Sequence, residues 1–239
     1  MVHRSVSSDR SLCPPVQILG LVKKAYFQEF VQESKRLQYA AFIATLYLGG
    51  FRINEALGLL RSQFKRRTSL EKRDFIVIEA VQMEKSGGRM RNCPIYPKDP
   101  ISILTVARLN EMPDEGHVFD FKERTGRNIA DRISGGLIWP HWFRAQRDRF
   151  LATAFIKADR KIILGWSSGA GKKSFRDAED FYAAMNWMSY ADRLAMLSES
   201  YWSNETLDSE TKLWLDMLEA KSPEAQESAG VAQLGKAPL

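Results

Sequence analysis

Apolar residues recur at helical spacing over Val22, Tyr26, Phe27, Phe30 and Val31, which predicts a helix over 22–35. Leu37 to Leu48 is almost unbroken apolar sequence, so the next helix should be buried all round, and Gly49-Gly50 suits its C-terminal cap and turn. The period then changes. Phe75-Ile-Val-Ile-Glu-Ala-Val81 is rich in β-branched residues and reads as a strand. Asn92 to Tyr96 returns beside it, with Pro94 arguing for an edge position, and Gly87-Gly88 lets the chain turn between them. Residues 63–73 read as a basic, irregular connector.

Helical patterning resumes at Ile101 to Asn110, followed by a turn at Asp114 to Gly116 and a brief extended piece from His117 to Phe121. A basic helix over Arg124 to Ile133 should end at Gly135-Gly136. A longer helix is expected from His141 to about Ala158, and a short one from Asp159 to Leu164 that stops at Gly165. Ser174 or Asp177 is placed to cap a helix carrying Phe181, Tyr182, Met185 and Trp187. The last amphipathic helix, Asp208 to Glu219, should put Leu213, Trp214, Met217 and Leu218 on one side. Residues 1–20 read as a flexible leader and 221–239, rich in Ala, Gly, Ser and Pro, as a disordered tail. The predicted class is mainly α with a small antiparallel β-hairpin or sheet (α+β), without internal repeats.

Composition changes this picture little. The chain of 239 residues is 44% hydrophobic and 27% charged, which is ordinary for a soluble protein with a real core. Its net charge of +6 and pI near 9.3 lean toward a polyanionic partner. Cys13 and Cys93 have no metal-ligand spacing, so a reduced compartment without a structural disulfide is expected. No apolar run is long enough to span a membrane, and the N-terminus lacks a signal peptide's apolar centre. A soluble, cytoplasmic protein is the expectation.

Candidate chemistry concentrates at four places. In Trp139-Pro-His-Trp-Phe-Arg-Ala-Gln-Arg-Asp-Arg-Phe-Leu151, Pro140 suits a first helical turn, and His141 and Arg144 lie one turn apart. A proton-transfer group beside a guanidinium suits a phosphate oxygen that gains charge. Arg147 adds a cation near that face. In Phe51-Arg-Ile-Asn-Glu-Ala-Leu57, Arg52 follows the glycine turn at the start of a helix, a position that turns a side chain and free N–H groups toward an anion. Glu55 can hold its guanidinium, and Ile53, Ala56, Leu57 and Leu60 pack behind. Lys85 stands on the hairpin tip. Gly165-Trp166 is a glycine-ended corner that carries an indole N–H. Gly169 to Lys173 lacks the glycine spacing of a nucleotide phosphate loop. His117 reads as structural or exposed.

An arginine after a glycine turn, a lysine on a hairpin, His-x-x-Arg on a helix and a tyrosine after Leu-Gly-Trp occur here in the order that resembles the tyrosine recombinases, or phage-type integrases. The resemblance spans about Gln38 to Tyr190. Gly-Phe-Arg52-Ile-Asn-Glu55-Ala-Leu looks like the family's first arginine box. Pro140-His141-Trp-Phe-Arg144-Ala-Gln-Arg is similar to the second box of archaeal and archaeal-virus integrases, and Phe181-Tyr182-Ala-Ala-Met-Asn-Trp187 to the segment around their nucleophile.

The resemblance implies a catalytic domain over 21–205. It also implies a helix at 206–220 that docks on a neighbouring subunit, double-stranded DNA as partner, and self-association on DNA as a dimer or tetramer. DNA integration or recombination would proceed through a 3′-phosphotyrosyl intermediate, with neither metal nor cofactor, and the protein would sit on the nucleoid. Tyr182 would be the nucleophile, with Tyr190 the alternate and Tyr201 a distant third. Arg52 and Arg144 would hold the phosphate, Lys85 would protonate the leaving oxygen, and His141 would assist proton transfer. Trp166 stands where many relatives have histidine and can only donate a hydrogen bond.

Two features depart from the family. The interval from Trp166 to Tyr182 is longer, with Gly169 to Ser174 resembling an insertion. Residues 1–20 cannot replace the DNA-clamping domain that precedes most catalytic domains, so the chain reads either as a naturally short form or as a fragment. The alternatives are a non-catalytic DNA-binding relative, a type IB topoisomerase-like relaxing enzyme, and a basic helical RNA-binding or scaffold protein. Basic segments at Lys65 to Arg73 and Arg89 to Arg91 suit phosphate contact.

Overall fold

A helix with no polar face has to be surrounded, and α2 (Glu33–Gly49) is: every residue from Ala40 to Gly49 is buried. Around it pack α1 (Pro15–Tyr26), α4 (Ser102–Asn110), α5 (Glu123–Ser134) and α6 (Pro140–Leu151). The computed structural model describes residues 12–29, 31–82, 90–165 and 186–220. These residues are mainly helical, with one three-stranded antiparallel sheet, an α+β arrangement.

The N-terminal expectation needs correction. Pro15 opens α1 in the first-turn position that tolerates its missing N–H. Ile18, Leu19 and Val22 are fully buried against α2, so residues 15–20 belong to a helix packed on the core and not to a leader. The helix expected over 22–35 divides between the end of α1 and the start of α2. The Val31 N–H donates to the Gln28 carbonyl at 3.2 Å in the turn between them.

The sheet comprises β1 (Phe64–Thr68), β2 (Asp74–Gln82) and β3 (Met90–Ile95), in that spatial order. Phe64 faces Ile78, and Val77 faces Pro94, which lies on an edge strand as its missing N–H requires. Strand β1 replaces part of the expected connector. Its only buried residue is Phe64, so Lys65, Arg66 and Arg67 gave no alternation to read. Between Ile78 and Val81 the register shifts, with Ala80 at φ +52°. There the Ala80 N–H donates to Asn92 Oδ1 at 3.0 Å.

The long helix expected from His141 to Ala158 is two. Helix α6 ends at Leu151, and α7 (Lys157–Leu164) starts after a turn that drops Phe155 into the core. Arg160 reaches back to Asp148 across the corner. Leu60 is 38% exposed and does not pack behind Arg52, because the helix there, α3 (Ile53–Leu57), has already ended at Gly58.

A second apolar cluster joins Phe75, Val77, Leu151, Phe155, Leu164 and Trp187 to Tyr190, Leu194 and Ala195 of α8 (Met188–Ser203). Polar clasps pin α8 to the sheet. The Glu71 N–H donates to Asp192 Oδ2 at 3.2 Å, and Arg73 pairs with Glu199 at 2.7 Å. The last helix, α9 (Ser209–Ala220), packs on its own chain. Trp214, Leu215 and Leu218 are buried there, and Trp214 meets Tyr26 at 5.4 Å. The expected stripe is rotated, since Leu213 and Met217 are exposed.

Candidate functional site

Gly50 takes φ +56°, a left-handed conformation that turns the chain sharply out of α2 and into α3. Arg52 is the N-cap of α3. Its backbone N–H donates to Glu55 Oε2 at 2.8 Å, and its Nη1 pairs with Glu55 Oε1 at 2.6 Å. The backbone N–H expected to face an anion is therefore already used. The guanidinium itself remains a quarter exposed.

Glu55 is buried and serves a second cation, with Arg144 Nη1 3.7 Å from its Oε2. Arg144 is 1% exposed. Its Nη1 donates to the Gly50 carbonyl and its Nη2 to the Leu164 carbonyl at 2.7 Å. One buried carboxylate thus joins the glycine turn, the His-x-x-Arg helix and the corner before Trp166. The two expected arginines come together, but Arg144 is spent on backbone carbonyls and is not open to solvent.

Positive charge is in surplus here. Arg91 is completely buried, stacks over the Phe51 ring at 4.8 Å, and donates to Gly49 at 2.7 Å and to Ile163. Arg147, also buried, lies over Tyr47 at 5.4 Å and Phe150 at 5.8 Å. Burial, and then the charge of Arg91, push the Arg144 guanidinium down to about 9 against the pull of Glu55. It stays cationic at neutral pH, in surroundings that an added anion would relieve.

The expectation that the segment 89–91 touches phosphate fails at Arg91, which is internal. Its period-two position with Cys93 and Ile95, on the core face of β3, is the signal that would have shown this.

His141 is exposed and points elsewhere. It lines a cavity of about 1140 Å³ with Trp139, Trp142 and Arg149 of the α6 region and residues from α1 and α5. Arg144 does not line that cavity, so the shared face expected of His141 and Arg144 divides into an outer and an inner side. His117 is exposed, as expected.

Tyr190 does not suit the role of alternate nucleophile. Its ring is buried, its hydroxyl donates to the Asn92 carbonyl at 3.0 Å, and burial pushes the phenol up. The Tyr201 hydroxyl accepts the Val16 N–H at 3.2 Å, and burial pushes that phenol up to about 12. Lys85, Arg89, Trp166, Ser174, Asp177 and Tyr182 lie outside the described residues.

Among the described residues, no group of three or more His, Cys, Asp or Glu side chains is placed to hold a metal ion. No described helix is long and apolar enough to cross a membrane. Comparison with protein-family models, with curated proteins and with solved structures finds no match for this chain.

Proposed function

We propose that the protein cleaves and rejoins DNA strands as a tyrosine-recombinase-like strand transferase with the catalytic-domain fold of that family. The observation that carries this reading is the meeting of Arg52 and Arg144 on Glu55, beside the carbonyl of Leu164. Segments more than ninety residues apart in the chain supply these groups, in the order the resemblance implies. The surplus of buried arginine gives the site a reason to take an anion, and the Arg52 side chain, paired with Glu55, is a quarter exposed beside it. Outside it, the edge strand β1 presents Lys65, Arg66 and Arg67 on the surface, suited to backbone contact with a duplex.

In this chemistry the Tyr182 oxygen attacks a DNA phosphorus and its proton passes to water, because His141 lies on the outer side of α6. The bond from phosphorus to the 5′ oxygen breaks, and that oxygen takes a proton from Lys85. Arg52 compensates charge on the non-bridging oxygens. The covalent 3′-phosphotyrosyl link keeps the bond energy, and a 5′ hydroxyl reverses the step. Self-association on the duplex, DNA integration and residence on the nucleoid belong to the same proposal.

A non-catalytic DNA-binding relative is the second reading. The burial of Arg144, with both terminal nitrogens on carbonyls, favours it. A pool of nicked duplexes of randomised sequence, whose short 5′ fragment leaves on cleavage, separates the two. Strand transfer predicts a protein–DNA adduct stable to denaturation, lost in Tyr182→Phe and strongly reduced in Arg52→Ala. Duplex binding without adduct would leave the second reading standing and end the first.

A further inference from the structure

The cavity beside His141 is walled by cations and aromatic rings together. Lys24 comes from α1, Arg132 from the end of α5 and Arg149 from α6, and among the described residues no Asp or Glu lines it. Trp139 is 45% exposed and Phe27 48% exposed, and Trp142 stands between the two helices they flank. Exposed tryptophan beside guanidinium groups is costly to leave in water and suits a planar, negatively charged ligand.

The cavity does not end there. A second one, of about 480 Å³, shares Leu21, Lys24, Ile138 and Trp142 with it and runs on to Cys13 and Gln146, again without a carboxylate in its wall. The two adjoin along these shared residues and are taken together as one groove.

We propose that this groove binds single-stranded DNA, with bases stacked on Trp139 and Phe27 and phosphates drawn to Lys24, Arg132 and Arg149. The occupant follows from shape and charge. Two adjoining cavities suit a strand better than a mononucleotide, and rings with cations in one wall match bases with phosphates. Met1 to Ser11 carry Arg4 and Arg10 against Asp9, so that segment brings no net negative charge to match the cations of the groove. The source of the strand rests on the strand-transfer reading: cleavage frees an unpaired end, which this groove would hold until rejoining.

The test uses the full chain and a fluorescein-labelled oligothymidylate of about eight nucleotides, a length within the usual site size. Wild type should bind it more tightly than a duplex of equal length or a polyglutamate of equal charge. Trp139→Ala should weaken binding by about five- to a hundredfold, the range of one lost base stack, while Trp139→Phe restores most of it. Lys24→Ala and Arg132→Ala should each lower the log–log salt slope by about 0.7.

These three side chains are exposed, so thermal melting should match wild type and separate lost binding from lost folding. Unchanged affinity in folded Trp139→Ala, or equally tight polyglutamate binding, would overturn the proposal. The adduct assay stands apart. Groove binding without adduct sinks only strand transfer, and adduct with unaltered binding in the groove variants sinks only this proposal.

Discussion

Arg91 and Arg144 staple the same two helix ends with consecutive carbonyls. Arg91 holds Gly49 and Ile163, and Arg144 holds Gly50 and Leu164. The carbonyls at the C-termini of α2 and α7 have no partner within their helices and sit at the negative ends of the helix dipoles. Two buried guanidinium groups satisfy both needs at once. Replacing either by Met strands two buried acceptors, and each variant should lose about 3 kcal/mol of stability. The double variant should lose less than the sum, because the first break already loosens the junction that the second arginine holds, which outweighs the opposite effect of the like charges of Arg91 and Arg144. Urea unfolding of the four proteins checks this, and strict additivity would contradict the staple.

Glu55 is the buried counter-charge to Arg52 and Arg144. Glu55→Gln keeps an acceptor for the Arg52 backbone N–H but leaves the arginines uncompensated, at a cost of about 3 kcal/mol. An anion should then return part of the loss by binding the folded state. The melting temperature of Glu55→Gln should rise more with added sulfate than with sodium chloride of equal ionic strength. An equal rise with both salts would remove the idea of an anion-seeking site.

Much of this was legible in the sequence. The Gly49-Gly50 stop, Arg52 at the start of a new helix and its pairing with Glu55 all follow from local rules of caps and spacing, and the structure has them. The β2–β3 pairing with Pro94 on an edge was readable for the same reason. What failed was tertiary. Pro14-Pro15 beside serines looked like leader because nothing local shows that Ile18 and Leu19 meet α2. Strand β1 was hidden because an exposed edge strand needs only one apolar residue. Arg144 read as a phosphate ligand, and its use on the distant carbonyls of Gly50 and Leu164 has no local signal.

Gly50 and Gly135 separate two costs of a side chain. Both have positive φ, but a Cβ on Gly50 would lie 2.3 Å from Leu164 Cδ2, whereas one on Gly135 meets nothing within 4 Å. Gly135→Ala should cost only the left-handed penalty of about 1 kcal/mol. Gly50→Ala should cost about 3 kcal/mol, since Leu164 lies in the second core and its carbonyl is held by Arg144. Equal losses in thermal unfolding would mean that Gly50 matters for backbone conformation alone.

Cys13 sits in the wall of the groove, and burial pushes its thiol up to about 11. A raised thiol pKa means less reactive thiolate at a given pH. Alkylation by iodoacetamide should therefore keep rising about tenfold per pH unit from 8 to 10, where an ordinary thiol begins to level off. Bound oligothymidylate should slow it further if the groove is filled. A plateau by pH 9.5 would show that the thiol is ordinary.

The most direct measurement is the mass of the peptide that carries DNA after trapping on nicked duplex and proteolysis. Strand transfer at a phosphate held by Arg52 predicts a single modified peptide with the nucleotide remnant on Tyr182, and its disappearance in Arg52→Ala. A remnant on Tyr190 or Tyr201, or duplex bound firmly with no modified peptide, would contradict the account.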